Sequence, residues 1–456
     1  MIGGSSSING LIFIRGQNED FDSWAEQGAA GWSYKEVLPY FCKLERNNGS
    51  QSECRGDKGE LHVSDIRTNN PACSAWLRAA EEYGLPFNPD MNGSSTRGVG
   101  HYQLSLKGRW RCSSAKAFLT PVKRRENLTI LTEAPTSRVL FDNKRAVGVE
   151  WKKEGARHQA RATQEVILCA GAIQTPQLLQ LSGIGPGELL REHGIEKIQE
   201  APEVGANLQD HYQVRVVYRL KKNISLNTDI RNPLKLMSMG FDWLFRASGS
   251  LTVGAGQVGG SACTRYAEDG RPDVQFNVMP LSVDKPGTPL HDYPGFTASV
   301  WQCHPHSRGS VRIASADPND APIINPNYFS VPHDRKVIVE GVKILRDIAK
   351  QPPFNELWDE EMEPGSQVDS DEAIWNAVRH KGGTVFHCVG TCRMGSDDKA
   401  VVDPQLRVRG VEGLRVIDAS VMPVITSANT NAPSLMIGEK GADLILNPSS
   451  IQENTQ

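Results

Sequence analysis

The chain has 456 residues, a formal net charge of −3, 39% hydrophobic and 23% charged residues. That is ordinary for a soluble globular protein with a core large enough to need no staples. The scattered basic residues give no field that would recruit nucleic acid or an anionic membrane, so nucleic-acid binding is set aside. Nine cysteines at irregular spacing argue against a disulfide framework. No Cys/His pair stands at a zinc-site spacing from the His304-Pro305-His306 stretch, so no metal is expected. No apolar run reaches the ~18–20 residues of a membrane span. Reduced thiols and the lack of a signal peptide point to the cytoplasm.

The chain opens on a Gly/Ser loop, Met1 to Gly10, followed by the apolar Leu11-Ile12-Phe13-Ile14. Native termini are usually polar and frayed, so the opening reads as a working loop with residues missing upstream. Asp22 to Leu44 reads as helical, with Trp24, Trp32, Val37, Leu38 and Phe41 as core. Residues 47–60 form a surface loop, Ala75 to Tyr83 a short helix, Asn88 to Gly100 a turn-rich connection, and residues 113–119 a helix ending before Pro121. A strand is expected at Leu128 to Thr132. Arg138 to Phe141 and Ala146 to Trp151 form a hairpin across Asp142-Asn143-Lys144-Arg145.

Glu165 to Gly171 is a largely apolar run ending in glycine, the pattern of a buried parallel strand. A helix over Thr175 to Leu181 stops at Ser182-Gly183. From 212 to 384 the texture changes. Strands at Val214 to Leu220, Asp273 to Met279 and Ala298 to Gln302, with helices at 334–350 and 371–380, predict an antiparallel sheet with helices. Leu414 to Asp418 is again a short buried strand, and Ser434 to Leu446 a helix with Pro433 near its first position.

Five segments carry chemistry. Small residues in the opening loop let backbone N–H groups approach a phosphate or a ring. Gly171 to Gly185 combines a strand end, a glycine turn and a helix N-terminus, the geometry that places backbone donors near a dinucleotide. Val204-Gly205-Ala206-Asn207-Leu208-Gln209-Asp210-His211 is a polar loop, and Phe386 to Gly395 holds His387 in His-Cys-Val-Gly-Thr. Leu414 to Pro423 and Thr426 to Pro433 lead into the last helix. The one G-x-G-x-x-G, Gly254 to Gly259, is a decoy: no strong strand precedes it, and Gly260 to Tyr266 reads as strand where a dinucleotide site needs helix.

Taken in order, these segments resemble the signatures of the glucose-methanol-choline (GMC) oxidoreductases, from residue 1 to about 446. The resemblance implies an α/β fold, with a discontinuous Rossmann-like FAD domain lacking its first βαβ unit and a substrate domain of antiparallel sheet and helices. The FAD domain would take 1–212, with some substrate-domain insertions, and 385–446, the substrate domain mainly 213–384, the family's C-terminal portion about 300–443, and 447–456 a disordered tail. The implied reaction is oxidation of a primary alcohol to an aldehyde, choline dehydrogenase-like, with hydride passing to flavin N5. His387 would be the base, since an imidazole titrates near neutrality. Asn429 would be its partner across the substrate, able to donate a hydrogen bond but not to take a proton.

Gly4, Ser5, Asn9, Gly10, Leu11, Ile12, Thr136, Gly171, Asp418, Ala419, Asn431, Ala432 and Pro433 would line the FAD. The last helix would aim its positive end at the flavin, stabilising the reduced anion by roughly 0.3–2 kcal/mol. Some relatives tether FAD through a His in the first loop; Ile8 stands there, which implies non-covalent FAD. The electron acceptor would be a quinone or another carrier, with peripheral membrane contact. Trp301 and Tyr293 are available for a quaternary ammonium substrate. Competing readings are an oxidase or a flavin-dependent lyase of the same fold, or an inactive fragment without flavin.

Overall fold

The computed structural model describes residues 1–49, 52–254, 256–285 and 287–448. The tail expected at 447–456 falls, from residue 449 on, outside the described residues.

The larger sheet runs Trp358–Glu363, Tyr212–Leu220, Gly295–Gln302, Val274–Met279, Val258–Ala262 and Gly98–His101, with Gly383–Thr384 added beside Tyr212–Leu220. All its neighbours are antiparallel. Its middle strand, Gly295–Gln302, is buried on both faces. The two-residue period sorts the side chains. Val274, Phe276 and Val278 join Phe296, Ala298 and Val300 in one core, under the helices Pro332–Ala349 and Pro71–Glu82. Gln275 and Asn277 alternate with that apolar set, and the register pairs Gln275 with Trp301 and Asn277 with Ser299. The helix side of the sheet is therefore apolar, and the opposite side carries amides, hydroxyls and an indole.

A second core is built from both ends of the chain. Trp24, Trp32, Phe41, Leu179, Met394, Val416 and Met436 all belong to it. Val166–Leu168 pairs in parallel with Leu414–Val416, as the apolar run implied. The chain turns at Gly171, whose φ of 81° favours a residue without Cβ, and enters the helix Gly171–Leu181. The hairpin strands are Thr136–Asp142 and Arg145–Lys153, and a third strand, Ala156–Arg161, extends them. The last helix is Asn431–Leu446.

Three expectations need correction. Leu128 to Thr132 is exposed coil, with Leu131 60% exposed; among the described residues no strand pairs with it, and β-forming side chains without a neighbour do not make a strand. The helical stretch from Asp22 to Leu44 is two helices, Asn18–Glu26 and Tyr34–Leu44, separated at Gly28 to Ser33 where Trp32 turns into the core. Leu38 is only half-buried.

Candidate active site

His387 lies on the loop after Gly383–Thr384, where the chain leaves the large sheet. Asp210 holds this loop. Its carboxylate accepts from the His387 backbone N–H at 2.8 Å and from Thr384 Oγ1, and Tyr328 O–H also donates to it. Burial pushes the Asp210 carboxyl above its ordinary range, opposed by these hydrogen bonds. Phe386, just before, has a φ of 63°, a strained value for a bulky residue.

The imidazole of His387 meets two side chains. Nδ1 is 3.0 Å from Nδ1 of His211, and Nε2 is 3.1 Å from Nδ2 of Asn429. The proton positions follow from one end. Nε2 of His211 lies 2.9 Å from the Cys303 carbonyl, which can only accept, so that nitrogen carries the hydrogen. Burial holds His211 down to about 4, so it is neutral at pH 7 and its Nδ1 is a lone pair. His387 must then donate from Nδ1, which leaves Nε2 bare. Asn429 is oriented to match: its Oδ1 faces Gln275 Nε2 at 3.5 Å, leaving its N–H for His387. Gln275 Nε2 also donates to Tyr102 O–H at 3.1 Å. Burial, and then the neighbouring His211, hold His387 well below the usual histidine range. The arrangement presents an unprotonated imidazole nitrogen beside an amide donor, complementary to one hydroxyl group.

Trp301 stands against both rings, with its centroid 6.2 Å from His211 and 6.1 Å from His387. Its buried Nε1 finds no partner among the described residues. Tyr293 instead stacks on His291 and bonds to its Nδ1 at 2.8 Å.

Asn429 is placed by a buried charge. Asp20 Oδ2 accepts from the Ser427 N–H and hydroxyl and from Gln17 N–H, each at 2.8 Å. Asp20 Oδ1 is paired with His304 at 2.8 Å and with Arg271. Burial opposes the charge, but these partners win and the Asp20 carboxyl is held below its ordinary range. His306 turns elsewhere, its ligand atoms within 4.8 Å of those of Glu268 and His333 at the surface.

Several of the residues read from the sequence as flavin-binding are linked to one another or to the His387 loop. Gly171 N–H donates to Asp418 Oδ2 at 2.9 Å, joining the Gly171 to Gly185 segment to the Leu414 to Pro423 segment. Thr175 and Ser420 fill the remaining bonds of that carboxylate, so Asp418 acts as an internal brace. The Ala419 carbonyl accepts from Gly390 N–H at 3.3 Å, tying this brace to the His387 loop. In the opening loop Asn9 Oδ1 accepts from Leu11 N–H and from Arg111. Leu11 and Ile12 share a small core with Ala428, next to Asn429.

The cradle fits a flavin by two observations. Gly4 has open space where a Cβ would stand, and Ser5 beside it is exposed. The helix Asn431–Leu446 has no side-chain cap, although Ala432 and Pro433 are buried, which leaves its first N–H groups for an anionic or carbonyl partner. Gly10 lies against Gly254 in the same region. Thr136 is exposed at the start of its strand, with no side-chain hydrogen bond to the other candidates among the described residues. The decoy glycines lead into the strand Val258–Ala262.

Sequence reasoning missed His211, Asp210, Gln275 and Arg111. The first two stood in a recognised motif but carried no assigned role. The alternation in Val274–Met279 marked Gln275, whereas nothing local marked Arg111.

A Rossmann-type parallel pair, a glycine-turned helix and a His–Asn pair against an antiparallel sheet define a two-domain flavin-type oxidoreductase. The chain belongs to the GMC oxidoreductase family, whose N-terminal model matches residues 1–213 and whose C-terminal model matches 305–438. It is 40% identical to an alcohol dehydrogenase [acceptor] of Pseudomonas putida, over 98% of this chain and 81% of that protein. It is 40% identical to the mitochondrial choline dehydrogenase of Mus musculus, over 99% and 76%. Among solved structures it superposes on an FAD-dependent oxidoreductase from Chaetomium thermophilum with a TM-score of 0.90 at 27% identity, covering 98% and 86%. A formate oxidase variant from Aspergillus oryzae RIB40 gives 0.91 at 28%, covering 98% and 84%.

Proposed function

We propose that this chain oxidises a primary alcohol to an aldehyde with FAD, and passes the electrons to a quinone or another acceptor that is not oxygen. The observation that carries the reading is the bare Nε2 of His387 facing the amide of Asn429. A substrate hydroxyl entering there would displace the Asn429 N–H from His387 Nε2, give its own hydrogen to that nitrogen and accept the freed N–H of Asn429. His387 then takes the proton as the bond to carbon loses its hydride. His211 keeps His387 in the tautomer that can do so. FAD, when bound, supplies the hydride acceptor.

FAD would be held by Gly4, Ser5, Asn9, Gly10, Leu11, Ile12, Thr136 and Gly171, with Asp418, Ala419, Asn431, Ala432 and Pro433 from the second half. Ile8, 70% exposed, offers no atom for a covalent link from this loop, in keeping with non-covalent FAD unless a tether lies upstream. Residues 1–212, with some substrate-domain insertions, and 385–446 would form the FAD domain and 213–384 the main part of the substrate domain; Ala72 to Ala80 and Val99, which pack in the core of the large sheet, fit such an insertion.

The relatives named alcohol dehydrogenase [acceptor] and choline dehydrogenase support the substrate class. The nine free thiols suit a reducing compartment, and no helix among the described residues is long and apolar enough to cross a membrane. The reading is tested by flavin reduction under anaerobic conditions with a panel of primary alcohols, choline included. Bleaching by an alcohol supports it. A flavin that stays oxidised with every alcohol, while the protein cleaves a cyanohydrin, favours the lyase.

A further inference from the structure

We propose that the helical hairpin over residues 226–252 is a docking surface for a lipid bilayer. Its main helix, Pro233–Phe241, has no buried side chain at all, and a further helical turn, Asp242–Arg246, continues it. Leu234 is 77% exposed, Met237 72%, Phe241 52%, Leu244 50% and Phe245 68%. Their spacing of three and four residues puts them on one stripe. Isolated exposed apolar residues are normal on a soluble protein, but a contiguous stripe of large ones marks an interaction surface.

The chemistry around the stripe suits lipid better than a protein groove. Beside Leu244 and Phe245, Trp243 meets Trp110 edge-on at 5.1 Å, with the Arg109 guanidinium 5.5 Å above the Trp243 ring. Arg109 also donates to the Leu244 carbonyl. Indoles and arginines at the rim of a projecting apolar stripe are the side chains that settle at the headgroup level. Lys235 is paired with Asp229 and Arg246 with Asp242, which leaves Arg109 and Arg231 as an excess of two cations on this patch although the whole chain carries −3. An excess of cations favours an anionic lipid surface.

The hairpin also leads to the site. Its last turn, Ser250–Thr252, passes into Val253, which packs with the Leu11 and Ile12 cluster. A Cβ on Gly254 would lie 2.1 Å from the Gly10 carbonyl oxygen, so the two backbones touch. A docked molecule therefore holds its flavin-loop region next to the bilayer, where a lipid-soluble acceptor resides. That consequence rests on the acceptor proposed above; the docking itself does not.

The test is sedimentation of the FAD-loaded full chain with vesicles of phosphatidylcholine containing a minority of phosphatidylglycerol, beside a triple variant Leu234→Ser, Met237→Ser, Phe245→Ser. These side chains are exposed, so the variant keeps its unfolding temperature and its turnover with a soluble dye acceptor. The wild type is expected to pellet with vesicles and the variant to lose binding about tenfold or more. A wild type that stays in the supernatant, or a variant that pellets equally, overturns the proposal. So does a wild-type dimer by light scattering that the triple variant converts to a monomer without any vesicle binding, which would assign the stripe to a second copy of the chain.

Discussion

His211 and His387 meet Nδ1 to Nδ1 at 3.0 Å, and because His211 is anchored to a carbonyl it can only accept from its neighbour. The tautomer of the proposed base is therefore set by a residue that need never touch the substrate. His211→Leu removes the acceptor, so kcat should fall about 10- to 100-fold. His211→Asn, whose side-chain oxygen can take the same hydrogen, should recover most of that loss. Steady-state kinetics on both variants check it. Equal losses would mean that packing, not the tautomer, is what His211 provides.

Acid should inactivate late. His387 is held well below the usual histidine range by burial and His211, so kcat/KM should be flat through neutrality and fall only below pH 6.5. Folding stability should follow the same residues. His211 titrates near 6.5 in the unfolded chain but at about 4 in the folded one, so the unfolded state binds more protons between those values. Stability is then fully present above pH 6.5 and declines toward pH 4, by ~3 kcal/mol for this residue alone. Urea melts across that window measure the slope, which His211→Asn should flatten.

Asp20→Ala should be costly at a distance. It leaves Arg271 and His304 without their carboxylate and frees Ser427 from it. Breaking such a buried pair costs about 3–5 kcal/mol. The melting temperature should drop, and KM should rise as the Asn429 loop loses its anchor. Thermal unfolding and kinetics on one preparation read both effects.

Acid precipitation should release the FAD into the supernatant, because Ile8 offers no covalent attachment. A yellow pellet would show a link through another residue.

Much of this site was legible before the fold. His387 and Asn429 stood in motifs of specific order, and they do meet at 3.1 Å. The parallel strand Val166–Leu168 was equally plain, because an apolar run that ends in glycine has few other uses. Leu128 to Thr132 was misread because its side chains favour a strand and only tertiary pairing decides whether one forms. His211 could not be given its role from the chain, since that role depends on a carbonyl 92 residues away. Asp20 was read past for the same reason: its partners lie at Arg271, His304 and Ser427.

The most direct measurement is the anaerobic visible spectrum of the FAD-loaded chain mixed with a primary alcohol, beside His387→Ala. The account predicts that the wild type bleaches its flavin, and that the variant bleaches about 10²- to 10⁴-fold more slowly. Bound flavin that no alcohol bleaches in the wild type, or that bleaches equally fast in His387→Ala, would contradict it.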